Sequence, residues 1–75
     1  MKQPTQTALI MYVVYENPSD YPGKFVVRKF TGETPDINPT IVAHSLEAAR
    51  NVIPKDKVML LPSVTDDPVI IENWL

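Results

Sequence analysis

The chain has 75 residues, no cysteine, one histidine and a formal charge of −2, which leaves room for one small domain held without disulfides or a cysteine-based metal site. Seven Lys/Arg against nine Asp/Glu lacks the basic excess of a dedicated nucleic-acid binder. The longest apolar run, residues 8–15, falls far short of the ~20 residues that span a membrane as a helix.

Residues 1–7, MKQPTQT, read as a short flexible lead with no secretory pattern, so a cytoplasmic protein is the default expectation. ALIMYVVY at 8–15 is β-branched and aromatic and predicts a strand. Leu9, Met11, Val13 and Tyr15 point one way and Ile10, Tyr12 and Val14 the other. Both faces are apolar, so this strand should be central. ENPSDYPG at 16–23 is rich in turn formers and suits an antiparallel return. KFVVRKF at 24–30 predicts a second strand, with Phe25, Val27 and Lys29 on one face and Lys24, Val26, Arg28 and Phe30 on the other.

Residues 31–40 read as irregular, because Pro35 and Pro39 bar a regular ladder or helix interior. Ile41, Val42 and Ala43 suit a short edge segment. A helix is predicted over 46–53. Ser45 is a good N-cap, Glu47 sits in the first turn, and Leu46, Ala49 and Ile53 form one apolar stripe ended by Pro54. Two turns of helix have no stability alone and must pack. A third strand is expected at 58–61, a turn at 63–68 and a fourth strand at 69–75, lying beside the first. In that last strand simple alternation sets Val69, Ile71, Asn73 and Leu75 against Ile70, Glu72 and Trp74. The expected fold is a single α+β domain, a two-layer β-β-α-β-β arrangement with a mainly antiparallel sheet and one short helix on one face.

One short helix, ~10 Å across, covers only part of a four-stranded sheet roughly 15–20 Å wide. The second face therefore needs another cover. The leading expectation is the 31–43 loop folding back with Ile37 and Ile41, then a second copy of the chain, then another protein.

Chemistry-bearing motifs are sparse. No glycine-rich phosphate loop or nucleophile elbow is present, and no cofactor or metal site is expected. Glu16, Asp20, Asp66 and Asp67 lie in or beside two turns, and Asp66 and Asp67 with His44 offer a grouping for an enzyme or small-ligand binder, but turn aspartates more often cap backbone. Lys24, Arg28 and Lys29 beside Phe25 and Phe30 offer a nucleic-acid surface, but alternation splits them between two faces. Tyr21, between Asp20 and Pro22 in the long loop, is the best single contact candidate, since tyrosine is enriched at interface hot spots.

The segments VVYENPSDYPGKFVVRKF, VAHSLEAARNVIP and LLPSVTDDPVIIENWL together resemble a group of small uncharacterised proteins of bacteria and their phages. That group shares the Val-Tyr strand, the Asp-aromatic-Pro turn, the Ser-Leu-Glu helix start and the closing Asp-Asp-Pro strand ending in Trp. Asn73 departs from it, where Thr is commoner. The resemblance implies a compact stand-alone protein and brings no activity. The functional expectation is a small protein–protein interaction module, phage-encoded and homodimeric in its fullest form. Its candidate surface is Asp20, Tyr21, Pro22, Lys24 and Arg28. The alternative is a nucleic-acid-binding accessory protein using Lys24, Arg28 and Lys29.

Overall fold

The computed structural model describes residues 9–62 and 67–75. The predicted lead, Ala8 and the 63–66 part of the predicted turn, Asp66 included, lie outside them. The elements run β1 (Ile10–Glu16), β2 (Phe25–Thr31), β3 (Thr34–Pro35), β4 (Ile41–Ala43), α1 (Leu46–Arg50), β5 (Met59–Leu60) and β6 (Ile70–Trp74). Among the described residues the class is α+β, a six-stranded sheet with one short helix. All strand pairs are antiparallel. The order across the sheet is β3-β2-β1-β6-β5, with β4 also pairing β2.

The strand expected to be central is central. β1 lies between β2 and β6, with Val14 opposite Val27 on one side and Glu72 on the other. Val13, Val14, Val26 and Val27 are all buried. Val14 and Val27 belong to the helix-side core, whereas Val13 and Val26 line the clefts of the opposite face.

Two short strands distinguish the chain order from β-β-α-β-β. β3 returns on β2 through a two-residue turn, Gly32–Glu33, with Thr31 opposite Thr34. Gly32 adopts φ 65°, the left-handed first position that such tight turns favour in glycine. Pro35 does not bar this ladder because β3 is an edge strand, where a missing N–H is tolerated. The chain then follows the same edge: Asp36 N–H donates to the Lys29 carbonyl at 2.9 Å and Thr40 N–H to the Val27 carbonyl at 2.7 Å. The 31–43 loop therefore runs along the sheet edge and does not fold across its second face. Ile37 is 94 % exposed, and Ile41 packs on the helix side of the sheet.

Ser45 caps the helix as its position predicts, its Oγ accepting from Ala48 N–H at 3.1 Å. The helix is shorter than 46–53, passing into a turn after Arg50. The apolar stripe survives because Ile53 N–H donates to the Arg50 carbonyl at 3.0 Å, continuing the curl. Ala49 and Ile53 are buried in the core with Val14, Val27 and Ala43, and Leu46, Ile71 and Trp74 pack around them. The helix lies over β2 and β4, so one face of the sheet is layered, and among the described residues no second layer covers the other.

The pairing of β1 with β6 shifts register between Val14 and Tyr15. Val14 faces Glu72 while Tyr15 faces Ile70, so Ile71 is the extra residue of a bulge. Simple alternation over 69–75 is overturned here. Ile71 joins Trp74 against the helix-side core, whereas Ile70 and Asn73 line the opposite face. A one-residue insertion exchanges faces because side chains alternate with period two.

Candidate interaction face

The loop between β1 and β2 is a built structure. Asn17 takes φ 55°, Gly23 takes φ 76°, and the Asn17 Oδ1 accepts from Gly23 N–H at 2.6 Å. Asn17 N–H donates to the Lys24 carbonyl at 2.8 Å, and Tyr21 N–H to the Pro18 carbonyl at 3.0 Å. Asparagine is among the few residues that enter the left-handed region readily. Pro18 is buried, Asp20 and Pro22 are exposed, and Tyr21 is half-buried.

This loop walls one end of the face opposite the helix. A cleft of about 620 Å³ opens there, lined by Tyr15, Ser19, Asp20, Arg28, Asp67 and Val69 among others. Arg28 is its fixed point. Its Nη1 donates to the Asp36 carbonyl at 3.1 Å and to the Ile37 carbonyl at 3.3 Å. Its Nη2 lies 3.7 Å from Asp20 Oδ2, an exposed pair that contributes little to stability. The side chain ties the edge loop to the sheet and lays its stem over the strand. Burial pushes the Tyr15 phenol above the ordinary tyrosine range, with Asp67 and Asp20 adding to the shift and Arg28 opposing it. A spectrophotometric alkaline titration should therefore show one tyrosine ionising late, and Tyr15→Phe should remove that component. A late component that survives Tyr15→Phe would place the shifted phenol elsewhere.

Beside the cleft, and sharing Tyr15 with it, runs an apolar groove of about 410 Å³. Met11, Val13, Phe30, Leu60, Leu61 and Ile70 line it, with Asn73. Val13 forms its floor, buried below the others. Among the described residues neither helix nor loop covers this surface.

The cations of the alternative reading do not converge. Arg28 lies on the open face opposite Val13, Lys29 lies opposite Tyr12 on the helix face, and Lys24 Nζ stands 3.2 Å from His44 Nδ1. Asp20 and Arg28 do come together, as does Asp67, while His44 is not among the cleft residues. Among the described residues no group of three or more His, Asp or Glu is placed to hold a metal ion, and no helix is long and apolar enough to cross a membrane.

A second polar cluster lies on the helix face, and sequence reading missed it. Glu72 is 5 % exposed. Both of its carboxylate oxygens accept from Arg50, the Nε contacts measuring 3.1 and 3.0 Å, and the Nη2 closes the fork. Trp74 Nε1 donates to Oε1 at 2.9 Å. The guanidinium fork, joined by the indole N–H, holds the carboxyl below the ordinary glutamate range against the opposing effect of burial. No buried polar side-chain atom of this cluster is left without a partner, which makes it a clasp between helix and sheet. The available signal was a lone glutamate within the apolar run VIIENWL.

No family model matches the chain, and no curated protein or solved structure does.

Proposed function

We propose that the chain is a small protein–protein interaction module that meets its partner through the sheet face left bare by the helix. The observation that carries this reading is the groove of Met11, Val13, Phe30, Leu60 and Ile70, which meets the Tyr15–Asp20–Arg28–Asp67 cleft at Tyr15. An apolar centre with an aromatic anchor and a polar, charged margin is the usual layout of a protein interface. Of the loop residues Asp20 lines the cleft, with Arg28 as its fixed polar point, whereas Tyr21, Pro22 and Lys24 are not among the residues that line the cleft or the groove. The resemblance of the motifs to small bacterial and phage proteins supports a role for the module in a phage or bacterial setting.

The test is affinity capture with quantitative mass spectrometry, comparing wild type with Met11→Lys. Met11 sits on the open face, where a lysine can lift its amine into solvent, so the variant should keep its thermal melt. A partner specific to the groove should be recovered about tenfold less by the variant. Equal recovery by folded wild type and folded Met11→Lys removes the groove from the interaction.

A further inference from the structure

We propose that a second copy of this chain adds to the free edge of β5, the two β5 strands pairing antiparallel about a two-fold axis beside Leu60. β5 ends the sheet order, with β6 as its only strand partner among the described residues. Val58 spends its N–H and C=O on Leu75, at 2.8 and 2.9 Å. Because ladder bonds alternate between the two sides of an antiparallel strand, Met59 and Leu61 aim theirs outward. The edge is apolar as well as unpaired: Val58 is 63 %, Leu60 45 % and Leu61 78 % exposed.

Edge strands are ordinarily guarded by charge, proline or a bulge. The opposite edge of this sheet has such guards, carrying Glu33, Pro35 and Asp36 along β3 and the chain that follows it. The β5 edge carries no charge or proline from Val58 to Leu61, and Pro62 just beyond it falls where the backbone groups turn toward β6, so its missing N–H leaves the outward donors of Met59 and Leu61 in place. Lys57, the nearest upstream cation, folds back so that its Nζ donates to the Ile10 carbonyl at 3.1 Å and sits 5.8 Å from the Tyr12 ring centroid.

The occupant follows from self-complementarity. Centred at Leu60, the two-fold register sets Met59 and Leu61 of one copy against Leu61 and Met59 of the other, which satisfies the outward backbone groups. Leu60 then meets its own counterpart across the axis, apolar against apolar, at the short distance of a non-hydrogen-bonded pair. Leu60 and Leu61 also line the groove, so the grooves of two copies would join into one surface across the axis. A two-fold contact between identical patches closes at two copies. β5 is only two residues long, so the pairing falls short of the roughly 1,200–2,000 Å² that a stable interface buries, and the dimer should be weak and concentration-dependent. The pairing extends the proposed groove without filling it, and the two readings can fail separately.

Sedimentation equilibrium from micromolar to millimolar concentration tests this directly. Wild type should pass from monomer to dimer. Leu60→Lys and Leu60→Glu should each stay monomeric over the same range, with wild-type circular dichroism. Mixed, they should recover the dimer, since opposite charges then face each other across the axis. Leu61→Lys, at the more exposed neighbouring site, should weaken dimerisation at least tenfold and serves if either Leu60 variant unfolds. Met11→Lys, which charges the groove away from the edge, should dimerise as wild type does. Wild type that stays monomeric throughout overturns the proposal, and so does a Leu60→Lys protein that dimerises as wild type does. A mixture that remains monomeric overturns the two-fold register. Loss of the dimer in Met11→Lys alone would mean that the second copy sits in the groove, and the edge pairing would be wrong.

Discussion

Removing residues 72–75 should abolish cooperative unfolding. These residues supply the ladder partners of Tyr12, Val13 and Val14 on one side of β6 and of Met59 and Leu60 on the other. Without them the central strand loses half its pairing along its middle, and β5 loses its only strand partner among the described residues. Trp74 leaves the core margin, a loss of about 3 kcal/mol for a tryptophan that is half-buried. Glu72 leaves Arg50 without its acceptor. A domain of this length has a total stability of only roughly 5–10 kcal/mol, so these losses should exhaust it. The measurement is a thermal melt followed by circular dichroism. A truncated chain with a cooperative transition near the wild-type midpoint would show that β1, β2 and the helix suffice.

Glu72→Gln should lower stability at neutral pH by about 1 kcal/mol and flatten the acid limb of the stability profile, and Glu72→Ala should cost about 2 kcal/mol. The cause is the clasp on the helix face. Arg50 reaches from the last turn of the helix to a carboxylate in the middle of β6, which also takes the Trp74 N–H. The amide keeps the shape and gives up the charge. The alanine leaves a guanidinium that can turn to water and an indole N–H that cannot do so as easily. The sign of the pH effect follows from the lowered carboxyl pKa. The folded state holds this proton less tightly than the unfolded chain does, so the stabilisation is fully present above the unfolded value near 4.5 and is lost as pH falls through the folded one. Denaturant midpoints measured from neutral pH down to about pH 2 should converge for wild type and Glu72→Gln at the acid end. A constant gap across that range would mean that the ionised carboxylate does not contribute.

Much of the architecture was legible because it depends on local rules. The β1 run declares a central strand apolar on both faces, and its neighbours on both sides are the strands expected there. Ser45 caps the helix through the hydrogen bond its residue type favours. The split of Lys29 from Arg28 also follows from the period of two. The candidate site was legible only in part. Asp20 and Arg28 were singled out and do meet, and an apolar face left uncovered by the helix was expected, but Met11, Phe30, Leu60 and Ile70 were not assigned to it, because apolar periodicity cannot say which face receives the helix. β3 was missed because Pro35 was weighed as a breaker. Its place at an edge, which makes the proline harmless, is a property of the assembled sheet.

By itself the sequence determined the strand material, the helix start, the turn-rich loop at 16–23 and the α+β class, all set by backbone sterics and short-range periodicity. Only the tertiary structure decided the rest. The bulge at Val14–Tyr15 exchanged Ile70 and Ile71 between faces. The helix settled over β2 and β4 and left the opposite face bare. Arg50 and Glu72, 22 residues apart in the chain, closed into a clasp. Each of these depends on which strands come to lie side by side and in what register. That choice is made by contacts between distant segments, which no local pattern encodes.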